Sequence, residues 1–224
     1  MNIKSVYFVL VILFLFCSCR KQFENVQVKQ IETDFSVILE CDTKFSSMRM
    51  VRLPVAFSVS NNFVYNRRIT GLNYYYDLGN TYIREKDWRI VRNERDFYLI
   101  NKDSLLLCHR DRYDLKKWEL ILGISPHKRK IIKPYQTQKY LQYIIHRLDT
   151  TQNIQSSFAS YLKIMRETKQ NTLSVGNLRE FSEKHPLLAD SLWLGDSLSV
   201  SFIGSTNAPG FSHTFPVVVN LDKE

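Results

Sequence analysis

Alternation of apolar and polar residues with a period of two is the feature that most restricts the fold of this chain. Apolar side chains occupy every second position over residues 35–41 and again over 53–59. Successive side chains of a β-strand point to opposite faces, so this period predicts strands that place one face in a core. Shorter runs of the same kind continue to residue 108, with turn sequences at Asn61-Asn62 and Thr70-Gly71. We expect an antiparallel meander that bends into a sheet or sandwich.

The period lengthens in the second half of the chain. Apolar residues recur at positions 140, 141, 144, 145 and 148, which is the spacing of one helical face. The same spacing recurs over 158–165 and over 175–181, and it predicts two further helices. Pro186 suits the first residue of a fourth, because the first helical turn does not need its missing N–H.

The last segment returns to a period of two at Leu198, Val200 and Phe202, and a final strand is expected over 215–221. Strands therefore lie on both sides of the helical region in the sequence. We predict an α+β fold with an antiparallel β-sheet or sandwich core and a helical insertion near residues 136–194. The expected single domain covers residues 34–224, with β structure over 34–108, helices over 136–194 and a β return over 197–221.

The first nineteen residues have the organisation of an export signal. Lys4 precedes an uncharged, largely apolar run from Val6 to Phe16, and Cys17-Ser18-Cys19 follows. This run is much shorter than the roughly 20 residues that a helix needs to cross a bilayer. A positive start, a short apolar core and small residues are typical of a secretory signal peptide.

Residues 16–19 resemble the lipobox of bacterial lipoproteins, where signal peptidase cuts before a lipid-bearing cysteine. Ser18 is the small residue expected before the cut, whereas Phe16 replaces the usual Leu and Cys17 replaces a small residue. The resemblance implies removal of residues 1–18, a lipid on Cys19 and a polar tether over 19–33. It places the protein in the cell envelope, anchored to a membrane on its periplasmic or surface side. Cys17 is a rival acceptor, and the alternatives are an uncleaved anchor or an ordinary signal peptide.

The net charge of +9 favours anionic partners. An exported chain meets phosphorylated lipids, lipopolysaccharide and acidic glycans, so we do not expect nucleic acid as the partner. The densest basic run is Lys128, Arg129 and Lys130, extended by Lys133. We predict that these four residues contact an anionic surface, and the alternative is a solvated connection between elements.

Two cysteines lie outside the signal, Cys41 and Cys108. An oxidising envelope permits a disulfide between them, which would stabilise the fold by on the order of 4 kcal/mol in the chain-entropy model. Two buried free thiols are the alternative, because the sequence does not show the distance between the two residues.

Motifs that would carry chemistry are missing or incomplete. His109-Arg110-Asp111 imitates the catalytic loop of protein kinases, but Lys116 stands where that loop needs an Asn, and the Gly-rich and Asp-Phe-Gly elements are missing. The five histidines lack the i, i+4 spacing of a zinc site. We therefore assign no catalytic residues, no metal ligands and no cofactor. Tyr74-Tyr75-Tyr76, with Tyr65, Tyr82 and Trp88 close by, suggests an aromatic platform for sugars, with packing inside the sheet as the alternative.

Short Asp-Ser and Asp-Thr sequences resemble the acceptor sites of a bacterial envelope O-glycosylation system, although so short a pattern also arises by chance. The four sequences are Asp103-Ser104-Leu105, Asp149-Thr150-Thr151, Asp190-Ser191-Leu192 and Asp196-Ser197-Leu198.

The leading hypothesis is a non-enzymatic envelope lipoprotein that binds a protein or glycan partner or supports an assembly at the membrane. It is based on the export signal and on the lack of a recognisable catalytic set. The alternatives are an envelope hydrolase whose site is assembled in space, and an immunity or inhibitor lipoprotein that neutralises a toxin.

Overall fold

The computed structural model describes residues 25–76, 91–94, 97–102, 104–108, 128–148, 153–193, 195–204 and 210–218. Within these residues, twelve strands form two antiparallel sheets, and three helices share a core with the first sheet. The predicted α+β class with an antiparallel sheet core is therefore confirmed.

The strands are β1 (Val26–Ile31), β2 (Ser36–Cys41), β3 (Met48–Asn61), β4 (Arg67–Tyr75), β5 (Val91–Glu94), β6 (Tyr98–Asn101), β7 (Ser104–Leu107), β8 (Ile131–Ile132), β9 (Gln136–Arg147), β10 (Thr172–Asn177), β11 (Ser197–Gly204) and β12 (Phe211–Pro216). The helices are α1 (Ala159–Thr168), α2 (Leu178–Lys184) and α3 (Pro186–Trp193). Short 3₁₀ turns occupy Lys128–Lys130 and Asn153–Phe158.

The long strand β3 organises the first sheet. β9 pairs with one edge of β3 over residues 50–61, whereas β1 and β2 follow one another along the other edge. β10 pairs with the outer edge of β2, and the β6–β7 hairpin lies beyond β9. In the second sheet, β4 pairs with β11 on one edge and with β5 and β8 on the other, and β12 lies beyond β11.

One face of β3 contributes to two adjoining cores. Val51 and Leu53 pack with the helices and with β2, whereas Val55, Phe57 and Val59 pack with the second sheet. All five side chains are at most 2% exposed and occupy alternate positions of the strand. Burying a large apolar side chain contributes about 1.5–3 kcal/mol, so the alternation seen in the sequence is a major source of stability.

The predicted helix over residues 140–148 is wrong, because this segment is the strand β9. Tyr140, Ile144 and Leu148 face the cores, and the intervening inward positions hold Gln142 and His146, both with 0% exposure. These two buried polar residues interrupt the apolar alternation that identifies a strand. The remaining apolar residues therefore have the spacing of a helix.

The other predictions are confirmed in part. α1 covers most of the predicted segment 158–165, and Pro186 begins α3 as expected. Residue 175 belongs to the strand β10, so α2 begins only at residue 178. β4 continues through residues 70–71 with a shift in its register against β11 instead of a turn, and the predicted tether over 19–33 contains the strand β1. The last described strand ends at residue 216, earlier than the final strand that was predicted over 215–221.

Candidate functional site

Two loops meet at one end of the first sheet, where β3 ends at Asn61 and β9 begins at Gln136. These two residues are paired across the strands. The Asn61 side chain is fully buried, and its amide nitrogen lies 2.8 Å from the carbonyl oxygen of Tyr65, 3.1 Å from that of Ile132 and 3.2 Å from that of Lys133. A single buried amide therefore donates to both loops, which holds residues 62–66 next to residues 133–135.

The local sequence explains this role of Asn61. Its side-chain oxygen accepts a hydrogen bond from the backbone N–H of Phe63 at 3.3 Å. Asn side chains often accept a hydrogen bond from the backbone N–H two residues later, which forms an Asx-turn. This turn directs the chain out of β3. The turn predicted at Asn61-Asn62 is therefore present, and Asn61 also makes the contact between the loops that the sequence did not indicate.

The two loops expose large side chains. Val64, Tyr65 and Tyr135 are 53%, 58% and 70% exposed, and they are three of the five large exposed apolar residues in the described part of the chain. We call Val64, Tyr65, Lys133 and Tyr135 the loop surface. Tyr135 has a backbone φ of +57°, a conformation that costs a non-glycine residue of order 1 kcal/mol.

Arg67 supports the loop surface from beneath. Its guanidinium carbon lies 5.0 Å from the ring centroid of Phe63 and 5.6 Å from that of Phe211, and the residue is only 5% exposed. The Phe63 ring in turn lies 5.4 Å from that of Tyr65. Burial lowers the pKa of Arg67, but a guanidinium stays charged in proteins. A fixed positive charge therefore lies under the exposed aromatic residues.

The same end of the sheet is rich in basic residues. The segments 61–68 and 128–139 together contain seven Lys or Arg and no Asp or Glu. Arg68, Lys128, Lys133 and Lys139 are exposed. A basic margin therefore borders the exposed aromatic residues, which favours anionic partners.

The structure separates the four basic residues that were predicted to contact an anionic surface. Lys128 and Lys133 are exposed, whereas Arg129 and Lys130 are only 6% and 7% exposed. The Lys130 ammonium lies 5.5 Å from the Phe97 ring centroid, and the carbonyl of Arg129 accepts a hydrogen bond from the Tyr140 hydroxyl at 3.2 Å. Arg129 and Lys130 thus belong to the interior, so of the four predicted residues only Lys128 and Lys133 are placed to contact an anionic surface.

The described chain begins beside the loop surface. Val26, the first residue of β1, pairs with Asn61, and the N–H of Asn62 donates to the carbonyl of Asn25 at 2.7 Å. The signal sequence, Cys17 and Cys19 lie outside the described residues.

A closed polar cluster lies between the sheets, and sequence reasoning missed it. Tyr74, His146 and Asp196 are each fully buried. The Tyr74 hydroxyl donates to Asp196 Oδ2 at 2.6 Å, and His146 Nε2 lies 3.8 Å from the same oxygen. The Tyr76 ring stands edge-on to His146 at 5.3 Å. Burial and the Asp196 charge raise the pKa of Tyr74 well above its usual value, so its hydroxyl remains a donor.

The burial of Tyr74 and Tyr76 decides between the two interpretations of the tyrosine run. Tyr74 and Tyr76 are buried and Tyr75 is half-buried, so these three tyrosines pack inside the sheet and do not form an exposed platform for sugars. Tyr65 is exposed, and Tyr82 and Trp88 lie outside the described residues. Asp196 is likewise buried, whereas Ser197, the acceptor residue of Asp196-Ser197-Leu198, is half-buried.

A small cleft lies between the β1–β2 connection and the start of α2. Its volume is about 170 Å³, below the roughly 300 Å³ of a typical ligand pocket. Glu32 and Arg179 in its lining approach each other to 4.0 Å, and the side chain of Asn177 caps α2. Glu32, Arg179 and Asn177 therefore have partners within the protein.

Cys41 and Cys108 are free, buried thiols that belong to different cores. The structure thus contains the two free thiols rather than the disulfide. Burial raises the pKa of Cys108 to about 12, which keeps this thiol protonated.

The remaining sequence candidates are few. His109-Arg110-Asp111 lies outside the described residues. In the part of the chain that the structure describes, no group of three or more His, Cys, Asp or Glu could hold a metal ion. None of the described helices is both long enough and apolar enough to cross a membrane.

Comparisons of the chain with protein-family models, with curated proteins and with solved structures find no match. The loop surface and the closed polar cluster are therefore interpreted from their own geometry.

Proposed function

We propose that this protein is an envelope lipoprotein, held on a membrane by a lipid on Cys19, that acts by binding through the loop surface. The proposal is based on the exposure of Val64, Tyr65 and Tyr135. These residues lie on two loops that are both hydrogen-bonded to the buried side chain of Asn61. Tyrosines are enriched where proteins bind partners, because they offer a large contact area at a small cost in side-chain entropy.

The geometry favours binding over the alternative of a hydrolase. Tyr74, His146 and Asp196 are the types of side chain that acid–base catalysis uses, but each of them has 0% exposure. General acids and bases must come within hydrogen-bond reach of a substrate. A cluster closed to solvent stabilises the contact between the sheets instead.

Fatty-acid labelling tests the anchor. Cells that make the intact chain, Cys19→Ala or Cys17→Ala are grown with labelled palmitate, and the protein is then isolated from whole cells. We expect the intact chain and Cys17→Ala to carry the label and Cys19→Ala to lose it. Label retained in Cys19→Ala would refute the assignment of the lipid to Cys19.

Photo-crosslinking in cells tests the loop surface. A photoreactive amino acid replaces Tyr65 or Tyr135, and the matched control replaces Leu187, which is 86% exposed on α3. We expect crosslinked products from positions 65 and 135 in clear excess over position 187. Equal yields from the three positions would contradict a binding role for the loop surface.

A further inference from the structure

We propose that the loop surface binds the anionic lipid headgroups of the membrane to which the chain is anchored. This inference rests on the proposed function and names the partner of the same surface. Three observations lead to it: the place where the described chain begins, the charge around the loop surface and the type of side chain that it exposes.

The covalent geometry brings the loop surface close to the lipid. Five residues, 20–24, lie between Cys19 and Asn25, and the six extended steps from Cys19 to Asn25 span at most about 20 Å. Asn25 is hydrogen-bonded to Asn62, within the first of the two loops. A lipid on Cys19 therefore holds this end of the sheet near the bilayer.

The opposite end of the molecule lies beyond this reach. The fourteen residues of β3 span roughly 40 Å, and the helices pack against the end of β3 that lies far from Asn61. The exposed Leu187 on α3 belongs to that distant end. The tether thus distinguishes the loop surface from the other exposed apolar residues.

The charge of this end fits a bilayer that contains acidic lipids. Arg68, Lys128 and Lys133 are exposed, and the segments 61–68 and 128–139 contain no acidic residue. Each basic residue near an anionic surface strengthens binding roughly fivefold. An uncharged, apolar partner would gain nothing from these basic residues, whereas the phosphates of acidic lipids would form ion pairs with them.

The exposed side chains also suit the headgroup region. Tyr65 and Tyr135 each combine an apolar ring with a polar hydroxyl, and such side chains concentrate where the bilayer meets water. Arg67 adds one positive charge beside the ring of Phe63, although its side chain is only 5% exposed. The loop surface therefore offers rings for the headgroup layer and cations for its phosphates.

Depth-dependent fluorescence quenching tests the inference on the full chain with its lipid. A fluorophore is attached to Tyr65→Cys, Tyr135→Cys or the control Leu187→Cys, since Cys41 and Cys108 are only 4% and 0% exposed. The protein is reconstituted in phosphatidylcholine vesicles with or without phosphatidylglycerol, and a lipid with a spin label on its headgroup serves as the quencher. With phosphatidylglycerol present, we expect at least fivefold more quenching at positions 65 and 135 than at 187.

Salt and charge variants sharpen the result. The quenching at position 65 should fall in phosphatidylcholine alone and at 1 M salt, where charges are screened within about 3 Å. The pair Lys128→Gln and Lys133→Gln should lower the ratio of docked to undocked protein, read from this quenching, more than tenfold, by about fivefold for each lost charge. The matched pair Lys163→Gln and Lys184→Gln, exposed on α1 and α2, should leave it unchanged.

The outcomes separate this inference from the proposed function. Equal quenching at the three positions, or quenching that ignores phosphatidylglycerol, overturns the lipid contact while the lipid on Cys19 stands. Crosslinks from positions 65 and 135 to a protein or a glycan, with none to lipid, also overturn it but uphold a binding role. An intact mass without a lipid on Cys19 removes both proposals.

Discussion

The hydroxyl of Tyr74 donates a 2.6 Å hydrogen bond to the carboxylate of Asp196, although 122 residues separate the two in the chain. Both side chains are fully buried, and His146 of β9 approaches the same carboxylate. The backbone carbonyl of Asp196 also accepts a hydrogen bond from Val217 at 2.9 Å. One aspartate therefore joins β4, β9 and the segment after β12, which ties the second sheet to the first.

Removal of the Tyr74 hydroxyl should destabilise the fold. Tyr74→Phe removes the Tyr74 hydroxyl as a donor to the buried Asp196 carboxylate, and we expect a loss of about 2 kcal/mol in the free energy of unfolding. Urea denaturation measures this loss. Tyr75→Phe is the matched control, because Tyr75 is the half-buried next residue on the other face of β4. A loss no larger than that of the control would show that the hydrogen bond does not stabilise the fold.

The turn between β2 and β3 should make stability depend on acid. Asp42 accepts hydrogen bonds from the N–H of Ser46 at 2.8 Å and from the hydroxyls of Ser46 and Ser47, which lower its pKa to about 2. Because this pKa lies below the unfolded value of about 4, the contribution is present above pH 4 and is lost as the pH falls to about 2.

The variant Asp42→Asn tests this dependence. At pH 7 we expect the substitution to cost about 1–2 kcal/mol, because the charged acceptor is lost. The difference between the two proteins should shrink as the pH falls from 4 to 2, which denaturation at a series of pH values would record. A difference that is constant over this range would contradict the lowered pKa.

Gly176 should not tolerate a side chain. Its φ is +95°, and an added Cβ would lie 2.2 Å from Oε2 of Glu180, whose side chain completes the capping box of α2. Gly176→Ala should therefore cost about 1–2 kcal/mol in thermal or urea unfolding. In contrast, Gly71→Ala should change stability by less than about 0.5 kcal/mol, because no atom lies within 4 Å of its added Cβ. Equal effects of the two substitutions would argue against strain at Gly176.

The two remaining cysteines should behave as protected thiols. Cys41 and Cys108 are buried in different cores, so a thiol reagent should modify the native protein slowly. After denaturation without a reductant, we expect both thiols to react. Protein that shows no reactive thiol under these conditions would contain the disulfide that the sequence allowed.

The sequence by itself predicted the elements whose pattern is local and uninterrupted. The alternation over residues 35–41 and 53–59 identified β2 and the inward face of β3, since Val37, Leu39 and Cys41 and the alternate apolar residues of 53–59 enter a core. Pro186 marked the start of α3 for an equally local reason, its missing N–H. Such signals do not depend on which segment packs against them.

Tertiary structure alone decided the elements that contain buried polar residues, and it decided which loops meet. Gln142 and His146 lie on the inward face of β9, and their polarity gave this strand the apolar spacing of a helix. The burial of Arg129 beside the exposed Lys128 likewise follows from packing and not from charge. The loop surface exists because the end of β3 pairs with the start of β9, some 75 residues later. Strand pairing depends on the burial of distant segments against each other, and no local pattern in the sequence records that energy.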